Sequence, residues 1–172
     1  LPALPPVAER APQPDDNPAW PNVEKLPTAA DCQQRNVHLH VRCGRPGQEV
    51  IYADPGYGIA DRQGYAYAGW SNEIYHCLAS EKTLQLTLAV PTGTAGLLRM
   101  FLIDPDRHGG GRAEKLFVDG REIGVVKDFK IGKWVEAPVS AADTADGKVT
   151  IAAENLNPTG NAVLSIVEWV SK

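Results

Sequence analysis

The sequence predicts an all-β chain folded as an antiparallel β-sandwich of the jelly-roll kind, and three observations carry that prediction. Short apolar runs recur roughly every ten residues and are separated by Gly, Pro, Asn and Asp. Several of these runs alternate with period two, the pattern of a strand with one face on a core. No stretch combines helical periodicity with caps at both ends.

Taken in order, the chain opens with a proline-crowded segment, residues 1–30, which reads as a linker or a strap across the body. Trp20 is its one large apolar residue, and the expectation is that it docks on the fold. Residues 31–172 form the sandwich domain. Val37–Val41 alternates, and Val50–Ala53 is a short β-rich run. Thr83–Val90 alternates until Pro91 stops it. Leu97–Ile103 is more continuously apolar and suits a strand covered on both faces. Lys115–Val118 and Arg121–Ile123 flank Asp119-Gly120, the dipeptide that closes tight hairpins. Lys148–Ala153 and Ala162–Val170 complete the set. Ala141–Ala145, opened by Ser140, is expected to make a single turn.

With 172 residues the chain suits one domain with a substantial core. A net charge of −4 argues against a phosphate-backbone partner, which needs a basic stripe. The longest apolar runs fall well short of the roughly 20 residues of a membrane span. The opening Leu1-Pro2-Ala3-Leu4-Pro5-Pro6 has neither the basic start nor the apolar core of a secretion signal, and reads as the start of a mature or excised fragment. Cys32 and Cys43 could close a short loop in an oxidising compartment, or all three cysteines, Cys77 included, stay buried and reduced.

Chemistry-bearing patterns are sparse. No nucleophile elbow, zincin helix, phosphate loop or dinucleotide fingerprint is present. His38 and His40 share one face of a strand, expected to be solvent-facing. The segment from Asp54 to Tyr75 gathers Tyr57, Tyr65, Tyr67, Trp70 and Tyr75 among small and polar residues. Sugars offer an apolar CH face and a rim of hydroxyls, so a site for them needs a flat ring beside hydrogen-bonding side chains. Trp70, Asn72 and Glu73 supply both kinds in one short stretch, with Tyr57 and Tyr75 as further candidates. Tyr65 and Tyr67 are expected in the core with their hydroxyls at its edge. After the strand at Leu97–Ile103 comes a polar loop in which Asp104 and Asp106 could hold a calcium ion. Alternatively, Arg107, His108 and Arg112 there could bond sugar hydroxyls or a uronate, or the loop is a solvated turn. Trp134 is expected to pack on a sheet and Trp169 to be buried, while Asn161 or Asn157 could donate an amide to a ligand or serve turn chemistry alone.

The ordered set Leu98–Asp104, Leu116–Arg121, Phe129–Trp134 and Asn161–Trp169 resembles galactose-binding-like jelly rolls, nearest to malectin-like domains and to accessory modules of bacterial glycoside hydrolases. The resemblance implies eight to ten strands, a ligand at loop tips or on a concave face, and in some relatives a structural calcium. Asn161 is the position that matches a ligand-contacting place in such modules. The resulting expectation is a secreted, monomeric, non-catalytic carbohydrate-binding module, covalently linked to other domains of a glycosidase, with no nucleic-acid or membrane partner. The alternatives are a structural interdomain sandwich with no glycan ligand, and a small hydrolase or lyase using Asp104, Asp106, Glu73 and His108.

Overall fold

A computed structural model describes residues 25–45, 47–67, 76–104, 106, 110–130 and 132–171. Among these, every paired strand is antiparallel. One five-stranded sheet runs in the order β10 (Lys133–Val139), β7 (Gly96–Leu102), β13 (Ile166–Val170), β1 (Val37–Arg42), β2 (Val50–Ala53). The other runs β3 (Gly58–Gln63), β6 (Thr83–Ala89), β11 (Lys148–Asn155), β8 (Ala113–Val118), β9 (Arg121–Lys127). A three-stranded sheet, β12 (Ala162–Leu164), β5 (Cys77–Ser80), β4 (Tyr65–Tyr67), completes the fold.

The period-two patterns translate directly into this core. In β6, Leu84, Leu86 and Leu88 point inward while Thr83, Gln85 and Thr87 do not. They meet Leu39 and Val41 of β1, Leu98 and Met100 of β7 and Val167 and Trp169 of β13 in one continuous apolar cluster. Trp169 is fully buried, as its sequence context suggested. The Asp119-Gly120 hairpin is present, and both residues take positive φ, +49° and +77°, as a two-residue turn matched to strand twist requires. Ser140 and Asp143 cap each other's backbone N–H groups in the expected turn at 141–145.

Several features depart from the sequence reading. A helix α1 (Ala29–Gln34) exists, nucleated by a capping box in which Thr28 Oγ1 accepts from Asp31 N and Asp31 Oδ2 accepts from Thr28 N. The run Ala162–Val170 is two strands, broken at Ser165. There the backbone changes sheets: Ser165 N donates to Phe101 O, and Ser165 O accepts from Cys43 N. β3, β4 and β5 arise in the stretch read as a ligand loop and just beyond it. They bring the strand segments to thirteen among the described residues, against the eight to ten implied. The proline-rich stretch 1–24, with Trp20, lies outside the described residues.

The outer face of the first sheet is the largest departure. His38 and His40 were expected in solvent, yet His40 is 2% exposed and Glu168 beside it 1%. Arg35 grips Glu168 with both terminal nitrogens at 3.1 and 2.9 Å, and Arg99 Nη1 donates to it at 2.8 Å. His40 Nδ1 lies 2.7 Å from Glu168 Oε2, while Arg42 Nε donates to His40 Nε2 at 2.8 Å. Arginine can only donate, so Nε2 must accept and Nδ1 must carry the proton. His40 is therefore neutral. Burial is the main reason its pKa is lowered, with Arg42 and Arg35 adding to the effect against the pull of Glu168. Covering the outer face with α1 and residue Lys25, whose carbonyl accepts from Arg42, removes these groups from water.

Candidate functional site

At one end of the sandwich the chain turns from β3 into β4 through Gly64. With φ of +133° and a Cβ that would stand 2.7 Å from Ala79 O, this position admits only glycine. β4 pairs with β5 so that Tyr65 lies opposite Ala79 and Tyr67 opposite Cys77. Nothing pairs with the other edge of β4 among the described residues. Tyr65 and Tyr67 are two residues apart and thus share a face, and they are 46% and 44% exposed. The expectation that they are core residues is overturned. β4 is a short edge strand outside the two main sheets, so its alternation does not report the main core.

Beside these rings sits a chain of polar side chains from three separate elements. Asn161, just ahead of β12, donates Nδ2–H to the Tyr65 hydroxyl at 2.8 Å. Its Oδ1 accepts from Arg112 Nε, also at 2.8 Å. Arg112 Nη1 bonds carboxylate oxygens of both Asp104 and Asp106, and Arg112 N donates to Asp104 Oδ2 at 2.8 Å. Burial works against the Arg112 charge, but the bonds to Asp106 and Asp104 outweigh it and raise its pKa. The arginine fixes which way the amide faces, and the amide in turn makes the Tyr65 oxygen an acceptor. The Tyr65 O–H hydrogen is thereby left free to donate outward.

Two further loops hold this chain in place. Asn155 Nδ2 spans the 155–161 loop, bonding the carbonyls of Glu81 and Asn157 at 2.9 Å. Asn157 Nδ2 ties that loop to Gly111 O. Beneath them lies Glu114, fully buried, with Oε1 accepting from Val163 N at 2.9 Å and Oε2 without a hydrogen-bond partner. Burial pushes the Glu114 carboxyl up to about 8, so it is protonated at neutral pH. Among the described residues no cluster of three or more His, Cys, Asp or Glu could hold a metal. The residues do not fit the calcium suggested for Asp104 and Asp106: both carboxylates already share the guanidinium of Arg112.

Of the sequence-predicted residues, the structure brings together Asn161, Asp104, Asp106 and Arg112, the last as their common partner. Tyr57 stands apart, before β3 where Tyr65 follows it. It is half-buried and stacks on His38, with ring centroids 5.4 Å apart and planes 15° off parallel. Trp70, Asn72, Glu73, Tyr75, Arg107 and His108 lie outside the described residues. Trp134 packs on the sheet as expected, against Phe101 and under the guanidinium of Arg99, 4.2 Å from the ring centre. Asn157 serves loop geometry. The three cysteines are free and buried, and burial raises their thiols to about 11 for Cys32 and about 12 for Cys43 and Cys77. Tyr65 and Tyr67 are the site residues misread in the sequence; the signal was Gly64, a turn marker that detaches β4 from the preceding strand.

No family model and no curated protein matches this chain. Solved structures do. A β-glucuronidase from Bacteroides uniformis superposes with a TM-score of 0.55 at 10% identity, over 84% of this chain and 19% of that enzyme. The fold shared with such structures is an antiparallel β-sandwich. The ANX2 ectodomain from Arabidopsis thaliana matches with a TM-score of 0.56 at 10% identity, over 79% of this chain and 50% of the ectodomain. A family 35 carbohydrate-binding module from an environmental isolate aligns with a TM-score of 0.45 and 12% identity, over 69% of this chain and 90% of the module. The chain spans about a fifth of the glucuronidase and half of the ectodomain. At these identities the likeness is one of fold.

Proposed function

We propose that this chain is a non-catalytic carbohydrate-binding module of an extracytoplasmic protein, covalently linked to other domains of a glycosidase. The observation that carries the reading is the exposed pair Tyr65 and Tyr67 on one face of β4, with the Tyr65 hydroxyl oriented by Asn161 and Arg112. Two flat rings offer stacking area for the CH faces of pyranose residues. The outward-directed Tyr65 O–H and the polar loop beside it offer hydrogen bonds to the hydroxyl rim. Asp104 is 3% exposed and locked to Arg112, so it cannot reach a glycosidic oxygen. A glucuronidase of which such a sandwich is about a fifth supports the idea of a module within a larger enzyme.

The test is a glycan array followed by titration calorimetry with the best polysaccharide, using wild type, Tyr65→Ala and Tyr67→Ala. Each substitution should weaken binding by about tenfold, the size of one lost stacking contact, with the thermal midpoint unchanged. A chelator should leave binding intact. An array silent for wild type, or release of reducing ends from a polysaccharide, would refute the reading.

A further inference from the structure

A second concavity opens away from the two tyrosines. It lies beside β3, an edge strand among the described residues, facing β1 and the 43–49 loop, and holds a cavity of about 230 Å³. Its floor is apolar: Val41, Ile59, Leu78 and Leu86, with the Cys43 side chain on one wall. The Cys43 thiol is protonated, because burial raises it to about 12, so that wall carries no charge. Ala66, from the face of β4 opposite Tyr65 and Tyr67, closes another side. An apolar cavity of about 150 Å³ takes up benzene, so this volume holds one ring with a substituent.

Charge at the rim decides what that substituent is. Arg62 Nη1 lies 2.9 Å from Glu49 Oε1, but the two partners are unequally placed: the Glu49 side chain is 12% exposed and that of Arg62 44%. The cation is thus the outer member. Arg62 makes no other ion pair or hydrogen bond among the described residues, so its remaining donors stay open to a ligand. A guanidinium carrying two carboxylates at once has a precedent within this chain, in Arg112 with Asp104 and Asp106. We propose that the cavity between β3 and the 43–49 loop is a binding site for a small monocarboxylate with an aromatic or short aliphatic body. The body packs on Ile59 and Leu86, and the carboxylate takes the free edge of Arg62. An ammonium group of the same shape meets the cation first and is repelled.

The proposal does not depend on glycan binding, and its readout is separate. Methyl resonances of Val41, Ile59, Leu78 and Leu86 are followed during titration with benzoate, benzyl alcohol and benzylamine. Benzoate should shift these methyls and leave the Tyr65 and Tyr67 rings in place, binding about tenfold more tightly than benzylamine. Arg62→Met, which keeps the apolar stem, should bring benzoate down to the level of benzyl alcohol. Ala66→Leu, which fills the space from an exposed strand, should abolish the shifts for all three probes; a thermal midpoint and near-UV spectrum confirm that each variant is folded. The proposal is overturned by absence of shifts at millimolar benzoate, by equal binding of benzylamine, or by shifts that survive in a folded Ala66→Leu variant.

Discussion

Glu168 and Glu114 are both carboxyls withdrawn from water, and their surroundings drive them in opposite directions. Around Glu168 burial raises the pKa, but His40 and Arg35 reverse that effect and hold the group down at about 2. Glu114 has one backbone N–H as its hydrogen-bond donor, and burial wins. The consequences for stability follow from proton counts. Between the ordinary carboxyl value of 4.5 and about 8, the folded chain keeps the Glu114 proton that the unfolded chain releases. Stability therefore falls as pH rises through that window. For Glu168 the stabilisation is complete above 4.5 and is lost as pH falls toward 2. Burial of neutral His40 adds to the acid loss, beginning below 6.5. Denaturant midpoints measured from pH 3 to 9 should show a decline on the alkaline side that is absent in Glu114→Gln. The acid limb should be the same in both proteins. None of this was legible in the sequence, because His40 read as solvent-facing and nothing marked Arg42 or Glu168 as its partners. What buries them is α1, whose Thr28–Asp31 capping signal was present but unweighed.

At the level of elements, strands with clean alternation or continuous apolar character were found almost to the residue: β1, β2, β6, β7, β11 and the β8–β9 hairpin. Their side chains belong to the two main sheets, so the period reports the core. β3 and β4 were not found, since edge strands exposed along most of their length on both faces carry no such period. The candidate site inherited that weakness. Asn161, the aspartates and Arg112 were all marked, but Arg112 was read as a ligand contact where it organises the others, and the rings beside them were assigned to the interior. Packing between elements yields a direct test at Gly96, where β7 begins. Its φ lies outside the left-handed region, so the need for glycine is purely steric. A Cβ there would stand 2.6 Å from the Trp169 indole on the neighbouring strand. Gly96→Ala should lower stability by about 1–3 kcal/mol in equilibrium denaturation, the usual range for overpacking. Gly93→Ala, in open space but with φ of +75°, costs about 1 kcal/mol from backbone strain alone.

In the whole molecule, the two ends of the described chain are joined through the middle of one sheet. β13 is its central strand, hydrogen-bonded to β1 on one side and to β7 on the other. It also carries Trp169 into the core and Glu168 into the buried ionic network. A chain ending at Leu164 lacks both, and should give circular dichroism and proton spectra of an unfolded protein at every temperature. Retention of a cooperative transition would show that the remaining strands suffice. Such dominance of pairings between distant segments also places folding on the slow side, milliseconds to seconds.

That central position has a consequence for synthesis. Until the five residues of β13 have cleared the ribosome, β1 and β7 have no common neighbour, and their apolar faces stay open. The nascent module thus waits, as sticky half-sheets, for a segment that arrives last.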